Sequence, residues 1–130
     1  MEEPRLRRRP ADRFGGPEHV FELAAIAEQL RHERHPARGG HRQMTIFRDG
    51  PMSLVLFDFD GGGRLVDHVA EGLVSIHVVS GRIAVRTRES SHELPAGSLL
   101  VLAPGVAHDI HAPEPSQVLV TIHLASEDGS

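Results

Sequence analysis

A chain of 130 residues with 13 glycines and 9 prolines suits one domain with a single modest core and many turns. It has no cysteine, and arginine supplies all 14 of its basic side chains, so disulfides, thiolate metal sites, thiol nucleophiles and Schiff-base lysines are all excluded. Residues 1–42 hold nine Arg against seven Asp or Glu and the remainder five against eleven, an acidic majority that argues against nucleic acid as a partner.

In chain order, residues 1–13 are charged and bounded by proline, with the run Arg5-Leu-Arg-Arg-Arg9, and are expected to be a disordered basic tail. From Pro17 the pattern turns helical. Pro17 suits a first turn, Glu18 and Glu22 favour its positive end, and Val20, Phe21, Leu23, Ala24, Ile26, Ala27 and Leu30 recur at helical spacing. This predicts a helix over 17–33, ended by His35-Pro36 and Gly39-Gly40, with residues 14–42 forming helix and linker. On it, Glu28 and His32 share an i,i+4 face, and His19, His32 and His35 are expected to be solvated.

Beyond Gly40 the apolar runs become short. Segments 44–47, 53–59, 65–68, 73–79, 82–87, 91–94, 98–102, 108–111 and 117–124 are separated by Gly, Pro or Asp turns. Nine such runs predict an all-β, antiparallel sandwich or barrel over 43–125, followed by a tail at 126–130. Both faces of 73–79 carry apolar residues, Val74 and Val78 on one and Leu73 and Val79 on the other. That suits a second covering layer, from the helix or from a partner subunit.

No apolar run is long enough to cross a bilayer and none at the N-terminus resembles a secretory signal, so the expectation is a cytoplasmic protein with no membrane partner. Phosphate-loop and GxSxG patterns are missing. With no Trp, no Tyr and five Phe there is no base-stacking platform.

Gly97-Ser-Leu-Leu-Val-Leu-Ala-Pro104-Gly105-Val-Ala-His108 reads as strand, turn and histidine, and upstream Gly62 precedes His68 by six positions, with Gly81 further on. These landmarks resemble the two motifs of the cupin superfamily, G(x)5HxH(x)3-4E(x)6G and G(x)5PxG(x)2H(x)3N. Gly62, His68 and Gly81 fall on the first, and Gly97, Gly105 and His108 on the second. Ala70 and Val74 stand at the positions of the second histidine and the glutamate, Ala103 at the proline and Ala112 at the asparagine.

The resemblance implies a jelly-roll (double-stranded β-helix) barrel whose mouth holds a small molecule, in a homodimer. It also implies that His68 and His108, on adjoining strands, face one ligand pocket and could offer neutral nitrogens to a divalent transition metal such as Zn, Ni, Fe, Mn or Cu. Two ligands are too few, so His77, His111, His123, His41 or Glu71 would have to join them. Alternation turns His77 away from Val74, Ile76 and Val78 and turns His111 away from His108. Glu71 falls in a turn and His41 in a loop, which leaves His123 as the preferred third donor. Two functions follow: a small-molecule binding or sensing protein, and alternatively a metal-dependent oxygenase or isomerase acting on a small organic acid or phenol. A purely structural dimerisation module is the third.

Overall fold

The computed structural model describes residues 14–33 and 39–124; the expected tails at 1–13 and 126–130, and His35, lie outside them. Among the described residues a helix, α1 (Leu23–Arg31), precedes the strands β1 (His41–Asp49), β2 (Met52–Phe59), β3 (Gly63–His68), β4 (Leu73–Ser80), β5 (Arg82–Thr87), β6 (Ser91–Pro95), β7 (Leu99–Leu102), β8 (His108–Ala112) and β9 (Ser116–His123). All pairings are antiparallel, in a five-stranded sheet ordered β1-β2-β9-β4-β7 and a four-stranded sheet ordered β3-β8-β5-β6.

Period-2 alternation decides what each sheet buries. Val74, Ile76 and Val78 of β4 and Val118 and Val120 of β9 meet Ile83 and Val85 of β5 and Ile110 and Ala112 of β8, with Phe57 and Phe59, in one core between the sheets. Where the chain crosses from β4 to β5, Gly81 adopts φ 81°, and a side chain there would collide with the Pro115 carbonyl and Ser116. The buried Ser116 hydroxyl donates to the Arg82 carbonyl at 2.9 Å and accepts from the Arg82 N–H at 3.0 Å, closing that corner.

The outer face of the five-stranded sheet carries the helix. Ala27 and Leu30 pack on Ile46 and Leu56 in a second cluster. A bulge between Thr45 and Phe47 turns both Ile46 and Phe47 to this face. Arg31 reaches across to Asp58, which is 1% exposed, at 3.1 Å through Nη2 and 3.5 Å through Nε. That hydrogen bond and charge raise the Arg31 pKa further above its usual value.

The helix is shorter than its apolar pattern predicts. It starts at Leu23, with Glu22 extended, and Val20 is 93% exposed. The reason is aromatic: His19 and Phe21 both lay their rings near Phe47, with centroids 4.9 and 6.2 Å away. An i,i+2 pair shares a side only in extended chain. His19 is therefore half-buried rather than solvated, whereas His32 is exposed beside Glu28 at 2.9 Å, as expected.

Candidate functional site

His108 opens β8 and is 3% exposed. Its Nδ1 lies 3.2 Å from the Val106 carbonyl, which can only accept, so Nδ1 carries the proton and donates. Neutral His108 then presents a lone pair at Nε2. His68 Nδ1 lies 3.2 Å from that atom and donates to it. The consequence is a defined chain of donors: His68 Nδ1–H to His108 Nε2, and His108 Nδ1–H to Val106 O. It leaves His68 Nε2 as an acceptor with no protein partner among the described residues, and open to solvent.

His68 reaches this position through a bulge. Leu65 pairs with Ile110 and His68 with His108, so three steps on β3 match two on β8, and one residue is extra. Without it His68 would alternate to the outside. Asp67 absorbs the irregularity at φ 52°, a left-handed conformation that Asp tolerates better than most side chains. Its N–H donates to Asp109 Oδ1 at 2.7 Å, which pins the bulge to β8. The loops on either side are tied as well, since the Gly105 N–H donates to the Ala70 carbonyl at 2.9 Å. Gly105 is at φ 81°, which favours glycine in this turn.

Electrostatically the site favours the neutral form of His68. Desolvation, and then the neighbouring His108, lower the His68 pKa below its ordinary 6.5. No carboxylate among the described residues is bonded to either ring; the relay ends on a backbone carbonyl. It therefore lacks the negative charge that usually stabilises an imidazolium in acid–base catalysis.

The sequence expectations for the remaining histidines resolve by strand parity. His77 pairs with Leu99 and Leu119 on the outer face of the five-stranded sheet. His111 lies outward on β8, between Arg64 and Ala84. His41 Nδ1 donates to the Arg64 carbonyl at 3.0 Å and its ring packs near Phe57 and Phe59, at the Gly63 end of β3, opposite His68. Glu71 is an exposed bend residue. His123 ends β9 exposed, on the parity of Leu119 and Thr121 rather than that of the buried Val118 and Val120. The structure brings His68 and His108 together and does not bring His123 to them.

The 3.2 Å separation of the two nitrogens is close to the roughly 3.3 Å edge of a tetrahedron built on metal–nitrogen bonds of about 2.0–2.1 Å. Distance alone therefore admits a metal, and the donor set decides. Ala70 and Val74 have no donor side chains, Val74 is buried in the core, and no group of three His, Asp or Glu among the described residues could hold an ion. Structural and catalytic sites generally take three or more protein donors. The residues present do not fit a resident metal.

Sequence reasoning found the two histidines but missed Asp67, Asp109 and the Val106 carbonyl. An Asp directly before a motif histidine is a faint signal for a left-handed residue. The bond to Asp109, 42 positions on, has no local signal.

No protein-family model and no curated protein matches the sequence. Solved structures match the fold. An RmlC-like cupin from Shewanella frigidimarina superposes with a TM-score of 0.68 at 23% identity, covering 87% of this chain and 96% of that one. A cupin superfamily protein from Desulfitobacterium hafniense gives 0.67 at 12% identity over 87% and 96%, and KdgF from a Halomonas species gives 0.63 at 23% over 75% and 93%. At these identities the likeness speaks to architecture, and with the two facing antiparallel sheets it shows that the chain has the jelly-roll fold of those cupin structures.

Proposed function

We propose that this protein binds or senses a small hydroxylated molecule, and that neutral His68 holds the ligand by accepting a hydrogen bond at Nε2. The observation that carries this reading is the ordered donor chain from His68 through His108 to the Val106 carbonyl, which leaves one fixed, unprotonated nitrogen free. Val69, adjoining His68 and 55% exposed, supplies apolar surface beside it. Pockets of this kind pair apolar walls with a few oriented polar atoms. A metal-dependent oxygenase or isomerase would need a third donor, which gives that alternative no support among the described residues.

The working form in this reading is a homodimer. The helix covers β1 and β2, while Leu73, Leu99 and Val101, at 46%, 62% and 54% exposure, face outward from β4 and β7 beyond it. β7 is also a sheet edge. An apolar face at an open edge favours association. Light scattering should give twice the chain mass, falling to one chain mass in Val101→Arg.

The test of binding is a thermal-shift screen of small alcohols, phenols and hydroxy acids on wild type and His68→Phe. A ligand that stabilises wild type in proportion to its concentration over its affinity, and loses that effect in His68→Phe, supports the reading. Equal stabilisation of both proteins would overturn it.

A further inference from the structure

The four-stranded sheet has a second face, and its composition is unlike the first. Outward side chains of β3, β8 and β5 surround a groove of about 240 Å³, separated from His68 and His108 by the sheet itself. Arg64, His111 and Ala84 lie in one cross-strand row, and Arg86 and Asp109 in the next. Ala84, at the β5 end of that row, carries a single methyl group. Its small size makes the floor of the groove, and Val66, 60% exposed, forms an apolar wall.

Arg64 and Arg86 stand on the two strands that flank β8, offset by about 10 Å across two strand spacings and about 7 Å along the strands. Their long side chains can converge over His111. Among the described residues Arg31 pairs with Asp58, Arg42 with Asp60 and Arg82 with Glu93; Arg48 and Arg88 form no ion pair either, but they lie away from the groove. No ion pair or side-chain hydrogen bond engages Arg64 or Arg86 among the described residues. Asp109 offsets one of the two positive charges, and its Oδ1 is engaged by the Asp67 N–H at 2.7 Å, so the groove keeps a net positive charge. Ser91 adds a hydroxyl at the same rim.

We propose that this groove binds the phosphate of a small phosphate monoester. Two guanidiniums from the strands on either side of β8, with the His111 imidazole between those strands and the Ser91 hydroxyl beyond Arg86, offer more donors than a single carboxylate can satisfy and match the several terminal oxygens of a phosphate. The groove exceeds the volume of phosphate alone, and the methyl of Ala84 with Val66 gives the organic part a dry surface. Asp109 is placed to accept from a ligand hydroxyl. The site is independent of the pocket at His68.

Calorimetric titration of the full chain with glycerol 3-phosphate, inorganic phosphate and succinate tests this. The expected result is binding of glycerol 3-phosphate that weakens with salt, weaker binding of inorganic phosphate, and none of succinate. Arg64→Gln and Arg86→Gln should each weaken binding at least about tenfold. Ala84→Leu should abolish it by filling the floor, and His68→Phe should leave it unchanged. Wild-type melting behaviour in Arg64→Gln and Arg86→Gln would show that any loss is not unfolding. No heat with either phosphate up to about 10 mM, or affinity that survives both arginine substitutions, overturns the proposal. So does preference for succinate.

Discussion

One strand, β8, divides two environments. Its inward side chains, His108, Ile110 and Ala112, are at most 3% exposed, while Asp109 and His111 between them face a charged groove. Inside, both ring nitrogens of His108 have a partner; outside, the side chains of Arg64 and Arg86 have none among the described residues. The difference teaches that a histidine on this sheet takes its chemistry from parity. Burial makes His68 and His108 an ordered acceptor, and exposure leaves His111 free to serve as one donor among several.

The largest break in this comparison should come from adjacent residues. Ile110→Ala removes core packing and should cost about 3 kcal/mol in denaturant unfolding, whereas His111→Ala, one position on, should change stability by less than about 0.5 kcal/mol. Equal costs would mean that the two faces are not distinct.

Arginines sharpen the contrast next. Arg31→Gln strands the buried carboxylate of Asp58 and should cost about 2 kcal/mol; Arg64→Gln and Arg86→Gln, which break no pair, should cost less than about 0.5 kcal/mol each. Thermal melts of the three variants side by side would show it.

Asp109→Ala tests the link between the faces. It removes the acceptor that holds the Asp67 N–H, should destabilise by about 1–2 kcal/mol, and should shift the His68 ring resonances although residue 109 points away from them. Asp67→Gly, which keeps the left-handed bulge and relieves the side chain, should be neutral or stabilising by up to about 1 kcal/mol.

The smallest effect is the pH dependence. Since His68 titrates below its usual 6.5 in the folded chain, the unfolded chain takes up that proton first on acidification. The stability tied to neutral His68 is complete above about pH 6.5 and is lost as pH falls toward the folded value. Unfolding midpoints between pH 8 and pH 5, at about half-unit steps, should therefore decline less steeply in His68→Phe than in wild type.

The sequence made much of this legible because alternation and turn residues are local signals. All nine strands were expected, most within a residue or two of their observed ends, and the outward facing of His77 and His111 followed from period 2. The first strand begins at His41 rather than Met44, since pairing with β2 extends past its apolar residues to match His41 with Phe59. The helix was overread because Val20 and Phe21 count as apolar at helical spacing while Phe21 is used by an extended strap against Phe47. The bulge at Asp67 was invisible for a related reason: its stabilising bond depends on a strand that arrives 42 residues later. The arginine groove has no local signal, because Arg64 and Arg86 are ordinary surface residues until β8 joins their strands on either side of His111.

The central claim is that His68 and His108 form a metal-free, proton-ordered pair with one open acceptor. Long-range nitrogen–proton correlation of the imidazole rings near pH 7.5, recorded with and without one equivalent of zinc, tests it most directly. The account predicts that both rings are neutral with the proton on Nδ1, and that the spectrum is unchanged by the metal. A proton on Nε2 of His68, or nitrogen shifts at both rings on adding zinc, would contradict it.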